Sequence, residues 1–461
     1  MGLSSDLSIS MSSLLASTAA MDVTSTNIAN ANTSGYARRR AVIEEAAPSG
    51  TDGSAGVDVA AIQSLRDNVL DLSINSATSQ QNLSNTVSSS LSAIQSMFSD
   101  TTTGSVGSTL DSFFSSLQQL STSPADTSAR TQVLNSASNV ASAFQSTATL
   151  ITQTQQQADQ SVVQNTGDAN TLLQEIATTN GQISSAKSSG QTSNSDQDQL
   201  ATLLTQLSGI MDYKTVNSSQ GLTLTTDNGT PLVVGSTAYA LTNSVNASGY
   251  NDVYAGGTDV TSDIQGGNLG GFIQSRDQYL ASTKTQLDQF AFQFATAVNN
   301  VQTAGSDVNG NAGVALFNPP NTTTGTATGA ASSIAVALTS GSQIAAAATS
   351  GASGDNTNLT NMIDLQNQTI TNGATPTNAF SNLTFSVGNV ISQANSNSTS
   401  TGNVISQLQN QQGSVEGVSV DEESSNLVLF ERSYQAAAKV ISTVDTLMGN
   451  VLDMGAVNAG Y

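Results

Sequence analysis

The sequence predicts a mainly α-helical protein with a β insertion, an α+β fold, and two observations lead to this prediction. Apolar residues repeat at intervals of three and four near both ends of the chain, which is the period of a helix that packs along another helix. After Gly209 the period changes to the alternation of strands, with a strong turn signal at Asp227-Asn228-Gly229. We therefore expect a small β unit inserted into a helical protein.

The first element is predicted to be a helix over residues 3 to 30 with a thin apolar stripe. Two of its seven stripe positions hold hydroxyl residues, Thr18 and Ser25, and the other five are apolar: Leu7, Met11, Leu14, Met21 and Ile28. An Asn- and Gly-rich segment follows and is predicted to end the helix in a turn. The next three residues, Arg38-Arg39-Arg40, are either a solvated charge run or a docking contact for an acidic neighbouring subunit. The sequence leaves both readings open.

The middle of the chain is predicted to be a bundle of long helices with polar faces that begins near Ile62, after an extended connector over residues 41 to 60. The β unit interrupts this bundle, and a second strand-and-loop excursion is predicted after residue 303. We predict three domains: a terminal coiled-coil-like assembly domain (1–45 with 414–461), a helical bundle (46–209, 268–303 and 355–413) and an outer β-rich insert (210–267 and 304–354).

The last element is predicted to be a helix that carries a second heptad stripe. Ser419 and Glu422 fit a capping box, and the acidic run Asp421-Glu422-Glu423 suits the positive end of the helix dipole. We predict that this stripe meets the N-terminal stripe or equivalent stripes on other copies of the chain. The stripe includes Ala437, and its larger members are Leu427, Phe430, Tyr434, Ile441, Val444, Met448 and Val451.

Both stripes are thin, and a solitary amphipathic helix gains little packing energy. We therefore expect both ends to be largely disordered in the free protein and to become helical on assembly.

The composition excludes several kinds of chemistry. The 461 residues include no Cys, His or Trp, so disulfides, Cys/His zinc sites and His-based catalysis are impossible. A formal net charge of −22 argues against nucleic acid or anionic lipid as a partner. No apolar run is long enough to cross a membrane, and no cleavable export signal is visible.

Three segments have some features of chemical sites, and each has a simpler interpretation. The segment Asp307 to Gly313 resembles the start of a calcium loop, but its turn glycine is displaced and Asn318 stands where the final Glu belongs, so a turn-rich loop is expected. The Gly-rich segment 266–271 fits no phosphate-binding pattern and is predicted to be a hinge into a helix. The acids at residues 421–423 are accounted for by their place at a helix N-terminus. We therefore predict no cofactor, no metal site and no enzymatic activity.

The Asn-rich segment at the end of the first helix resembles a motif shared by bacterial flagellar rod, hook and hook-associated proteins: Asn27, Ile28, Asn30, Asn32, Thr33, Gly35 and Tyr36. Three further stretches narrow the resemblance to the hook-associated protein 1 family, the first of two junction proteins between hook and filament. They begin at Leu110, Gly270 and Gly417, and the second ends in Ser275-Arg276-Asp277.

This resemblance implies a structural role at the hook–filament junction and export in unfolded form through the flagellar secretion channel. The implied partners are copies of the chain in a ring, the hook protein below, a second junction protein above, and a cytoplasmic chaperone on the C-terminal helix. The implied subunit contacts are the two stripes. Other axial proteins, such as hook-associated protein 3 or the hook protein, stay open as alternatives, as does an adhesive or enzymatic role for the β insert.

Overall fold

The computed structural model describes residues 2–47, 56–95, 98, 104–218, 221–318, 327–348, 354–371 and 373–458. Within these residues the chain is mainly helical and carries three small antiparallel sheets, so the predicted combination of helices with a β insertion is confirmed. The helices are α1 (Leu3–Ala29), α2 (Asn68–Gln95), α3 (Val106–Thr122), α4 (Thr127–Ser188), α5 (Asn194–Ile210), α6 (Gly267–Gln274), α7 (Ala281–Ala304), α8 (Ala330–Ser333), α9 (Thr357–Asp364), α10 (Pro376–Glu416) and α11 (Val420–Asn458).

The strands form a hairpin near the N-terminus and two sheets in the middle of the chain. The predicted turn at residues 227–229 joins two strands of the second sheet, and Gly229 adopts a φ of 87° that favours glycine. The three sheets consist of β1 (Arg39–Glu45) and β2 (Val57–Ser64); β3 (Lys214–Ser218), β4 (Gly221–Thr225), β5 (Pro231–Val234) and β6 (Thr237–Ala238); and β7 (Leu241–Val245), β8 (Asn251–Ala255) and β9 (Thr258–Asp259).

Two hydrophobic cores hold the part of the chain between α1 and α11. The first core joins α3, α7, the first half of α4, and parts of α2 and α10, and it contains stacked and edge-on phenylalanine pairs such as Phe144–Phe290. The second core joins the second half of α4, α5 and α6 to the two central sheets. Both cores therefore share α4.

Helix α4 runs without interruption for 62 residues. Asp126 caps its N-terminus by accepting hydrogen bonds from the backbone N–H groups of Ser128 and Ala129. Gly167 and Gly181 lie inside the helix, because packing on both cores outweighs the roughly 1 kcal/mol by which glycine disfavours a helix.

Two segments differ from the sequence prediction. Residues 39–64 were expected to be mainly a connector that leads into a helix, but they contain the β1–β2 hairpin, because the Val/Ile alternation on either side of the Gly-rich stretch pairs across it. Within the described part of residues 304–354 the expected strands are replaced by α8, a 3₁₀ turn and isolated bridges. Apolar residues of this segment, including Phe317 and Ile334, belong to the first core with the helices. The division into three domains stays a prediction.

Candidate assembly interface

The motif that spans the end of α1 and the turn after it forms a buried polar node centred on Asn27, a residue that is 1% exposed. Its Oδ1 accepts hydrogen bonds from the backbone N–H of Arg39 (3.0 Å) and the hydroxyl of Tyr36 (2.7 Å). Its Nδ2 donates to the carbonyl oxygen of Arg39 (2.8 Å) and to Glu423 (3.1 Å). One amide thus joins α1, the motif turn, β1 and the start of α11.

Glu423 and Glu416 connect the same node to the C-terminal part of the chain, and both contact Arg38. Arg38 forms an ion pair with Glu423 at 2.7 Å, and its backbone N–H donates to the carbonyl of Glu416. The Glu416 carboxylate accepts the backbone N–H of Asp67 at 2.8 Å. Burial, partly offset by that hydrogen bond, raises the pKa of Glu416 above its ordinary value.

A second ionic network ties the motif to α5. Asp198 on α5 lies 2.7 Å from Arg39 and 2.8 Å from Arg66, and Arg66 also pairs with Asp71 at 3.0 Å. Gly35 has a φ of 78° and lies so close to α5 that a Cβ atom there would come within 2.4 Å of a threonine hydroxyl. Two of the three arginines at 38–40 therefore form ion pairs within the chain, a use that the sequence did not indicate.

The remaining motif residues lie at the edge of this network. Asn32 and Thr33 are exposed, while Ile28 and Asn30 are half-buried. The Asn30 side chain donates to the carbonyl of Thr26, so it holds the last turn of α1.

Helix α1 packs along α11, and the two run antiparallel because the end of α1 at Asn27 contacts the start of α11 at Glu423. The buried face of α1 is built from small residues spaced by heptads, such as Ser10, Ser17 and Thr24. Small side chains let two helices approach closely, and the Ser10 hydroxyl donates back to its own helix.

The predicted apolar stripe of α1 lies one residue further along than this buried face, about 100° around the helix. Met11 is 55% exposed, and the other stripe members, Leu7, Leu14, Met21 and Ile28, are half-buried. The stripe is therefore only partly covered within the single chain.

The predicted stripe of α11 faces α1 along part of its length. Val444 and Ala437 are buried, and Leu427, Phe430 and Ile441 are half-buried. The other members are exposed: Tyr434 (36%), Met448 (39%) and Val451 (53%).

A second apolar stripe runs along α11 about a quarter of a turn away, and the sequence reading missed it because it interleaves with the first. Its exposed fractions range from 45% to 63% at the four large residues. Its members keep a heptad spacing, at intervals of seven and four: Leu429, Ala436, Val440, Leu447 and Met454. We call it the outer stripe of α11.

No chemical site emerges among the described residues. The expected turn-rich loop is present: Asp307 accepts hydrogen bonds from the backbone N–H groups of Asn309 and Asn311. The described residues include no cluster of acids suited to a metal, and no described helix has an apolar stretch that could cross a membrane.

Comparisons with known proteins agree along the chain. A model of the helical domain of flagellar hook-associated protein FlgK matches residues 91–317. Models of the flagellar basal body rod FlgEFG protein C-terminal region and of the flagella basal body rod protein match residues 411–454 and 7–36.

Curated relatives cover nearly the whole chain. Flagellar hook-associated protein 1 of Bacillus subtilis is 28% identical over 95% of this chain and 96% of its own length. The Escherichia coli protein of that name is 26% identical over 98% of this chain and 100% of its own. The solved flagellar hook junction protein FlgK of Burkholderia pseudomallei has a TM-score of 0.66 at 18% identity, over 75% of this chain and 100% of its own, and shows likeness of fold.

Proposed function

Since this chain belongs to the flagellar hook-associated protein 1 family, we propose that it joins the hook to the filament as a structural subunit of their junction. The family consists of structural flagellar components, not enzymes. Proteins of this family are exported and lie in the flagellum. The match of nearly the whole chain to relatives with this one name is the observation that carries the proposal.

We propose further that the subunits contact one another through the exposed stripes of the α1–α11 pair. Met11 on α1 and the outer stripe of α11 are exposed in the single chain, and Leu7 and Leu14 are only half-buried. A second copy can cover them by the same heptad packing. In this arrangement Phe430, Ile441 and Val444 hold the pair together within one chain, and the exposed residues make contacts between chains.

The remaining partners follow from the position of a junction subunit. A ring of copies would have the hook protein on one side and a second junction protein on the other. Before export, a cytoplasmic chaperone that covers the outer stripe of α11 would keep about five exposed apolar side chains out of contact with other proteins.

Deletion of the gene tests the role at the junction. We expect hooks of normal appearance, no filaments, and unassembled flagellin in the medium. Absence of hooks would instead indicate the hook protein, and a strain that keeps its filaments would contradict the proposal.

Complementation of that strain tests the contact surface. Leu447→Gln changes the outer stripe, whereas Val428→Gln changes a residue of nearly equal exposure on the side of α11 away from α1 (46% and 48% exposed). We expect Leu447→Gln to reduce filament number and Val428→Gln to restore it, with both purified proteins equally helical. Equal filament numbers from the two variants would contradict the assignment of the stripe.

A further inference from the structure

A charged cluster lies between the two hydrophobic cores. On α4, residues 152–161 separate the buried members of the first core from those of the second. On the continuous helix formed by α6 and α7, residues 274–278 separate Ile273 in the second core from the residues that pack in the first core. Asp159 and Arg276 occupy these two gaps, and their side chains are in contact across the boundary.

Arg276 is fully buried, and its guanidinium is surrounded by acceptors. Nη1 donates to Asp159 Oδ1 at 2.6 Å and to the carbonyl oxygen of Asn251 at 2.8 Å. Nε and Nη2 donate to the two carboxylate oxygens of Asp277 at 2.7 and 2.8 Å. The guanidinium also lies 5.4 Å from the ring centroid of Tyr250. Its contacts thus come from α4, from β8 and the residue before it, and from its own helix.

The backbone is unusual at the same place. Residues Ser275–Leu280 form a π-helical turn between α6 and α7. Such turns are rare, are concentrated at functional sites, and change the phase of the helix that follows. Here the change of phase separates Ile273, which faces the second core, from Leu280, which faces the first. Gln155 of α4 donates to the Arg276 carbonyl oxygen at 3.1 Å and fastens the turn.

The electrostatics make this cluster sensitive to how the cores are docked. Burial lowers the pKa of Arg276, but the hydrogen bonds and charges of Asp277 and Asp159 more than offset it, so the net pKa is raised. A buried ion pair adds little stability compared with apolar packing, yet loss of one partner leaves an uncompensated charge. Only the arrangement that brings α4 and β8 together around Arg276 satisfies all of these groups.

We propose that Arg276 is a clasp that couples the β-bearing second core to the helical first core, so that both unfold as one unit. The clasp acts beside other connections, which include the continuous α4, the continuous helix formed by α6 and α7, and the packing of α2 on α5 and α6. Through Arg276, the sheet that contains β8 is attached to α4. This inference does not depend on the role at the flagellar junction.

Calorimetry and amide exchange on the purified full-length protein test the clasp. The wild type should show one unfolding transition, with amides of both cores opening together. Arg276→Met should split the transition, with the second core melting on the order of 10 °C earlier. Amides in residues 162–273 should then exchange at least about tenfold faster, while those in 106–151 stay protected.

Two further variants keep the test decisive. Asp159→Asn should also make the second core melt earlier, but by a smaller temperature difference. If Arg276→Met does not yield folded protein, a split transition in Asp159→Asn would support the proposal and a single transition would contradict it. Lys214→Met removes an exposed ion pair with Asp227 in the same β unit and should leave a single transition.

Three outcomes would overturn the proposal: two transitions in the wild type, equal loss of protection in both cores of Arg276→Met, or no change. Equal loss would mean that Arg276 contributes only general stability.

Discussion

Replacement of Asn27 by alanine tests whether the motif acts as the node that joins both ends of the chain. The change removes four hydrogen bonds from a site that is 1% exposed. At about 1 kcal/mol for each net hydrogen bond, the loss is roughly 3–4 kcal/mol. Because about 1.4 kcal/mol corresponds to a factor of ten, local opening should become more frequent by on the order of 300-fold.

Amide exchange measured by mass spectrometry reports this opening directly. Peptides from residues 36–45 and 414–423 should lose protection, and the first core should keep it. Tyr36→Phe removes one of the four bonds and should give about a quarter of the free-energy change. Asn32→Ala, an exposed asparagine of the same motif, is the matched control. If Asn27→Ala exchanges no faster than Asn32→Ala, the reasoning about the node is wrong.

Three other predictions follow from the structure. Gly267→Ala should lower the melting temperature, because Gly267 has a φ of 65° and a Cβ atom there would lie 2.2 Å from the carbonyl carbon of Ile210. Gly388→Ala should raise the melting temperature slightly, because Gly388 lies inside α10 with open space around it. A lower melting temperature for Gly388→Ala than for Gly267→Ala would contradict this reasoning. Glu416→Gln should stabilise the folded protein at pH 7, because it removes a carboxylate whose ionised form is disfavoured by burial. Burial raises the folded pKa of Glu416 above the ordinary 4.5, so the wild type loses stability as the pH rises through that window, and the advantage of the variant should vanish below pH 4.5 in urea titrations. The two terminal helices, residues 5–28 and 425–450, should exchange rapidly in the free protein and slowly after assembly, and strong protection in the free protein would refute the expectation of folding on assembly.

The heptad spacing predicted helices at both ends, and the change of period predicted the β insertion, because both signals are carried by apolar residues close together in the sequence. The same spacing did not show which face of α1 is buried. That face is made mostly of Ser, Ala and Thr, and such small residues leave no hydrophobic pattern.

The buried ionic groups were beyond the reach of the sequence for a different reason. Arg276 meets Asp159 across 117 positions, and Arg39 meets Asp198 across 159. Only the fold brings such partners together, so the sequence predicted either a solvated charge run or a contact with a neighbouring subunit for Arg38 and Arg39, and not ion pairs within the chain. The resemblance to a family identified the stretch that contains Arg276, but it did not indicate that this side chain is fully buried.

The uninterrupted course of α4 through both cores restricts how the protein can vary. At 1.5 Å per residue its 62 residues extend about 90 Å, with no loop along the way that can absorb an insertion. One residue added between the cores would turn everything beyond it by about 100° and separate Asp159 from Arg276. Natural differences in length should therefore collect in the connections between strands and after α7, where the chain can change without rotating one half against the other.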